Sequence, residues 1–164
     1  MLNKKLKILY IHQYFCLPNG SGGIRSYKNA LALKNCGYSV TVLCLNDGRN
    51  YLGNKLKKKS YFSNVGFVDG IEIKQYNMNY TNYMNLAQRS IIFVRFLIQS
   101  SFEALFGKYQ IIYATSTPLT VAIPGILAKL FRGRKFVFEV RDSWPELPFA
   151  MGLINIYLYK ILLI

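Results

Sequence analysis

The chain has 164 residues, 52% hydrophobic and 17% charged, which suits one domain with a buried core and excludes a disordered or fibrous chain. Its 21 lysines and arginines against 7 aspartates and glutamates give a formal charge of +14, which favours anionic partners such as nucleic acid, phosphorylated metabolites or an acidic bilayer surface. Three cysteines without a CxxC pair and a single histidine exclude a Cys/His zinc site, and no window reaches the roughly 18 uncharged apolar residues that spanning a bilayer requires.

LKILYIHQ (6–13) is a short apolar run of the kind found in a fully buried strand, and its His12 and Gln13 end argues against a secretory leader. SYKNALALKNCG (26–37) carries leucine and alanine at helical spacing and stops at Gly37, the residue expected just past a helix end. YSVTVLCL (38–45) is β-branched and apolar, so strand, loop, helix and strand form a βαβ unit. The stretch 46–64 reads as a polar, basic loop containing KLKKK, and Asp69-Gly70 in FVDGIEI marks a tight hairpin.

An Asn/Tyr-rich linker (77–85) precedes a long helix from Leu86 to Phe106, in which Gln88, Arg95, Gln99 and Glu103 make one narrow polar stripe. YQIIYAT (109–115) is a further buried-type strand. LTVAIPGILAKLF (119–131) reads as a helix that Pro124 is expected to kink, and KFVFEVR (135–141) as the last strand. The segment after Pro148 has helical character. Buried strands alternating with helices predict an α/β fold, a doubly wound, mostly parallel sheet with a small β-hairpin insertion. Ligands of such sheets collect beyond the carboxyl ends of the strands, where FCLPNGSGG, TSTP and DSWPELP are expected to converge.

Gly20, Gly22 and Gly23 let backbone approach a ligand closely, and the helix behind them offers unpaired N–H groups and a positive dipole end, so phosphate is the natural guest. Neither common phosphate signature is complete. The GxGxxG beginning at Gly20 ends on Arg25, no acidic residue closes the second strand, and Ile24-Arg25-Ser26 stands where a P-loop needs Gly-Lys-Ser/Thr. A ligand-free turn is the plain alternative; a diphosphate held otherwise than in dinucleotide enzymes is preferred. In FVFEVRDSWPE (136–146), Arg141 and Asp142 leave a strand together, a pair able to fix a sugar hydroxyl or phosphate or simply to pin a loop.

Taken together, QYFCLPNGSGGIRSY, GYSVTVL, VDGIEI, IIYATSTPLTVAIP and FVFEVRDSWPE resemble the amino-terminal domain of family 4 glycosyltransferases. These are the retaining GT-B enzymes, and the closest subset builds capsule, O-antigen and colanic-acid-type polysaccharides. The resemblance covers essentially the whole chain, in order. It implies a Rossmann-like acceptor-side domain over 1–164, with Gly22, Gly23 and Arg25 near a donor's pyrophosphate, and Thr115, Ser116, Arg141 and Asp142 around the acceptor. Arg141 and Asp142 would carry the catalytic positioning. The implied mechanism needs no metal, and no cofactor is expected. Lys28, where the subset usually has an acidic residue, and Thr117, in place of the first proline of TSPP, depart from the pattern.

A GT-B enzyme has a second domain that grips the nucleotide-sugar donor, and nothing in these 164 residues corresponds to it. The expectation is therefore an acceptor-binding half that does not turn over sugar alone, its acceptor a lipid-linked glycan. Cytoplasmic location follows, peripheral on the inner face of the plasma membrane, with KLKKK and IIFVRFLI suiting an anionic lipid surface. The rival is a non-catalytic, membrane-associated Rossmann-like subunit that recruits a donor-binding partner; a stand-alone flavodoxin-like phosphate-binding domain is a third reading. Nucleic acid is not expected, because most aromatics lie in core-like runs. His12 reads as a structural histidine rather than a base, and Glu139, two residues before Arg141, as half of an internal ion pair.

Overall fold

The computed structural model describes residues 5–46, 56–58, 63–78, 83–116, 118–141, 152 and 155–157. Asp142, the DSWPELP turn and all of the helix expected after Pro148 except 152 and 155–157 lie outside the described residues. Among the described residues seven strands form one sheet: β1 (Lys7–Ile11), β2 (Ser39–Leu45), β3 (Leu56–Lys58), β4 (Ser63–Val68), β5 (Ile71–Tyr76), β6 (Ile111–Thr115) and β7 (Lys135–Glu139), in the order β3-β4-β5-β2-β1-β6-β7. From β5 to β7 all pairings are parallel, whereas β3 and β4 run antiparallel. This is a Rossmann-like open sheet. Its strand order reverses at β1, which has β2 on one side and β6 on the other.

Side-chain alternation sends each strand's residues to two cores. Leu9, Ile11, Leu43, Leu45, Ile112 and Ala114 pack beneath α2 (Leu86–Phe106) and α3 (Ala122–Arg132). Tyr10, Val42, Cys44, Ile71 and Ile73 face the other way and pack with Ala30 of α1 (Arg25–Asn35). Both faces are covered along the central strands, which is why those segments read as unbroken apolar runs.

Two local expectations are corrected. The basic stretch 46–64 is not all loop, because Leu56–Lys58 forms β3 and β4 begins at Ser63. A three-residue, lysine-rich edge strand has little intrinsic β signal and forms by pairing with β4. Pro124 does not kink a helix interior: a 3₁₀ turn (Leu119–Val121) precedes α3, and Pro124 occupies its first turn, where a missing N–H costs no bond. The hairpin turn itself is as expected, with Asp69 at φ 51° and Gly70 at φ 77° closing β4 onto β5.

The long helix runs from Leu86 to Phe106 as expected and starts with a capping box between Asn85 and Gln88. Its polar stripe runs from exposed Gln88 and Arg95 to a partly buried carboxyl-terminal end that reaches the sheet. Glu103 bonds Lys74 of β5 and accepts from the Tyr109 hydroxyl at 2.9 Å, and Tyr76 donates to the Gln99 carbonyl at 3.3 Å. Burial and the Glu103 carboxylate push the hydroxyls of Tyr76 and Tyr109 well above the usual tyrosine range.

Candidate active site at the carboxyl edge of the sheet

The paired strands β1 and β6 run out into His12 and Ser116, so the loop after β1 and the start of the β6–α3 connection meet at one edge. The β1–β2 ladder continues past β1 through His12 N–H to the Leu43 carbonyl (3.1 Å) and Leu45 N–H to the Gln13 carbonyl (3.0 Å). After it, Leu17-Pro18-Asn19-Gly20 makes a turn closed by Gly20 N–H to the Leu17 carbonyl at 2.9 Å, with proline and asparagine at its centre. The chain then enters α1, whose first backbone bond is Lys28 N–H to the Ile24 carbonyl. Its N-cap residue Ile24 makes no side-chain capping bond and its first turn holds no acidic residue, so the helix start keeps its positive dipole character.

The two glycines that end the loop have different surroundings. A Cβ on Gly22 would sit 3.1 Å from both Cβ and Sγ of the buried Cys16, so hydrogen at this position lets the loop fold tightly on itself. Gly23 is open: the nearest atom to a Cβ there is Nη2 of Arg141, 4.0 Å away. The glycine loop and the strand-end arginine, far apart in sequence, thus share one surface.

Arg141 is held from two sides. Its backbone N–H donates to Ser116 Oγ at 2.8 Å, and Ser116 N–H donates to the Glu139 carbonyl at 3.0 Å, extending the β6–β7 ladder. Its guanidinium Nη1 lies 3.5 Å from His12 Nε2. Facing a donor, Nε2 carries the lone pair and Nδ1 the proton. That Nδ1 is buried without a hydrogen-bond partner among the described residues. Burial, with the neighbouring Arg141 charge second, lowers the His12 pKa to about 4, so the imidazole is neutral at physiological pH.

Glu139 does not pair with Arg141, the partnership its spacing suggested. Its Oε1 is 3.8 Å from Arg25 Nη1, and its Oε2 accepts from the Tyr113 hydroxyl at 3.4 Å. The Tyr113 ring stacks on Tyr10 with centroids 4.6 Å apart, and burial first, then Tyr10 and Glu139, raises its pKa to about 12. Arg25 therefore braces α1 against β7 through a long, largely exposed contact of little energetic weight. Among the described residues Arg141 has no carboxylate partner.

Of the residues singled out from sequence, Gly22, Gly23, Ser116, Arg141 and the first turn bearing Arg25 come together, while Asp142 lies outside the described residues. Thr115 and Ser116 are both fully buried, and the Thr115 hydroxyl contacts the Ser116 carbonyl at 3.4 Å. Both lie beneath the edge where Gly23 and Arg141 meet. The burial of His12 agrees with its reading as a structural histidine, while its place beneath Arg141 depends on the crossing of β1 with a segment 129 residues away. Among the described residues there is no group of three or more His, Cys, Asp or Glu able to hold a metal ion, and no helix long and apolar enough to cross a membrane. The chain matches no protein-family model, and comparison with curated proteins finds no match.

Proposed function

We propose that this chain is the acceptor-binding half of a retaining glycosyltransferase, which together with a donor-binding domain moves a sugar from a nucleotide-sugar donor to a lipid-linked glycan acceptor. The observation carrying this reading is the convergence, at the reversal point of the sheet, of an open glycine, a helix start whose N-cap residue makes no capping bond, and an arginine with no carboxylate partner among the described residues. Such an arrangement suits an oxygen-rich anion. In the proposed reaction, backbone N–H groups at Gly22 and Gly23 and the start of α1 stabilise the departing pyrophosphate as negative charge builds on it. Arg141, its backbone fixed by Ser116 and its guanidinium facing neutral His12, orients the acceptor together with Asp142. An imidazole that stays neutral adds no competing cation beside Arg141 and is too weakly basic to serve as the proton acceptor.

Calorimetric titration of the chain with a polyprenyl-diphosphate-linked sugar and, separately, with nucleoside diphosphates tests the proposal. The lipid-linked diphosphate is expected to bind, with at least about tenfold loss in Arg141→Leu, since charge-assisted contacts to phosphate are worth about 1.5–3 kcal/mol. Nucleoside diphosphates are expected to bind weakly or not at all. Tight nucleotide binding by the chain alone would overturn the reading in favour of a stand-alone phosphate-binding domain.

A further inference from the structure

We infer that the outer face of α2 and α3 docks on an anionic lipid bilayer. The outward face of α2 is largely apolar where a surface helix is ordinarily polar: Ile91, Ile98 (62% exposed), Phe102 (65%) and Phe106 (57%) fall within about 80° of arc at 100° per residue, with Arg95 among them. The helix is about 30 Å long at 1.5 Å per residue. Leu130 (71%) and Phe131 (72%) of α3 extend the apolar surface next to it. The two helices pack together, and the Arg132 guanidinium lies 5.2 Å from the centre of the Phe106 ring, so the faces join at their carboxyl ends. A patch of large, exposed aliphatic and aromatic side chains on this scale marks an interaction surface.

Charge selects the occupant. Arg95, Lys129 and Arg132 are exposed on these helices, and the single carboxylate of α2 and α3, Glu103, is turned inward to Lys74 and Tyr109. An apolar surface studded with cations and free of outward acids matches the headgroup boundary of anionic lipid, where apolar side chains insert and basic ones meet phosphate. A second copy of a chain carrying +14 would set like charge against like. The docking stands independently of the glycosyl transfer proposed above.

Co-sedimentation of the full chain with phosphatidylcholine vesicles, with and without phosphatidylglycerol, tests the assignment. Partitioning onto the anionic vesicles is expected to exceed that onto neutral ones by about tenfold or more and to weaken with added salt. The double variant Ile98→Glu/Phe102→Glu, at exposed positions, is expected to lose at least about tenfold while keeping its circular dichroism. Arg95→Glu/Arg132→Glu, which leaves the apolar residues in place, is expected to abolish the preference for anionic vesicles. Absent or lipid-independent sedimentation, or binding unaffected by both variants, would overturn the assignment. So would a wild-type dimer in analytical ultracentrifugation that Ile98→Glu/Phe102→Glu dissociates, because a second copy would then be the occupant.

Discussion

His12 makes the acid sensitivity of this fold measurable at one residue. Its imidazole is 3% exposed, and burial together with Arg141 lowers its pKa from the ordinary 6.5 to about 4. Above pH 6.5 the ring is neutral both folded and unfolded, and its protonation has no effect on stability. Between 6.5 and 4 the unfolded chain binds a proton that the folded chain refuses, so stability falls with pH by about 1.4 kcal/mol per unit. The whole window is worth about 3 kcal/mol, and the loss is complete once pH drops below the folded pKa. Urea denaturation of the wild type and of His12→Gln, which keeps an acceptor for Arg141 but cannot titrate, measures the difference between pH 7.5 and pH 4. The wild type is expected to lose about 3 kcal/mol more than the variant over that interval. Because the sequence contains one histidine, its imidazole resonance is unambiguous, and an NMR titration midpoint near 4 is expected. Arg141→Leu removes the smaller cause and is expected to raise that midpoint while leaving it below 6.5. A wild-type midpoint at 6.5, or equal acid sensitivity in wild type and His12→Gln, would refute the buried, arginine-facing geometry.

Other predictions concern packing and helix ends. Gly125→Ala builds a Cβ 2.0 Å from Cε2 of Phe136, so an expected overpacking cost of about 1–3 kcal/mol outweighs the gain of about 1 kcal/mol in helix propensity. A double-mutant cycle with Phe136→Ala should show that most of this cost disappears when the ring is gone. Asn85→Ala is expected to cost about 1 kcal/mol in thermal or chemical denaturation by removing the capping box of α2. Gly23→Ala, with only Arg141 Nη2 at contact distance, should leave stability within about 0.5 kcal/mol of wild type, whereas Gly22→Ala, pressed on Cys16, should destabilise measurably.

The central strands were legible because burial on both faces leaves no room for polar alternation, and KILYI and SVTVLCL carry that imprint. Strand β3 was not, since its Leu-Lys-Lys is defined by a partner rather than by its own composition. For α2 the pattern marked a polar stripe correctly but could not say which apolar arc meets the sheet. That is decided by Lys74 and Tyr109, which reach Glu103 from other elements. At the site, glycine spacing and the strand-end arginine were readable as local chemistry. The partner of Glu139 was not, because two-residue spacing along β7 says nothing of Arg25 on a helix that crosses above it. The depth of Thr115 was not legible either, because its full burial at the end of β6 depends on the elements packed around it.

The hairpin at Asp69-Gly70 bears on how the chain reaches its native state. It joins Val68 to Ile71, whereas the β1–β6 ladder must bring Ile8 to Ile111. Hairpins close in about 1–10 μs, and parallel pairings wait on the slower closure of long loops. The β4–β5 ribbon is thus suited to be the earliest ordered piece, offering β2 a ready-made margin along which parallel growth begins. Replacing Gly70, whose positive φ lets that turn close cheaply, should slow refolding more than it hastens unfolding.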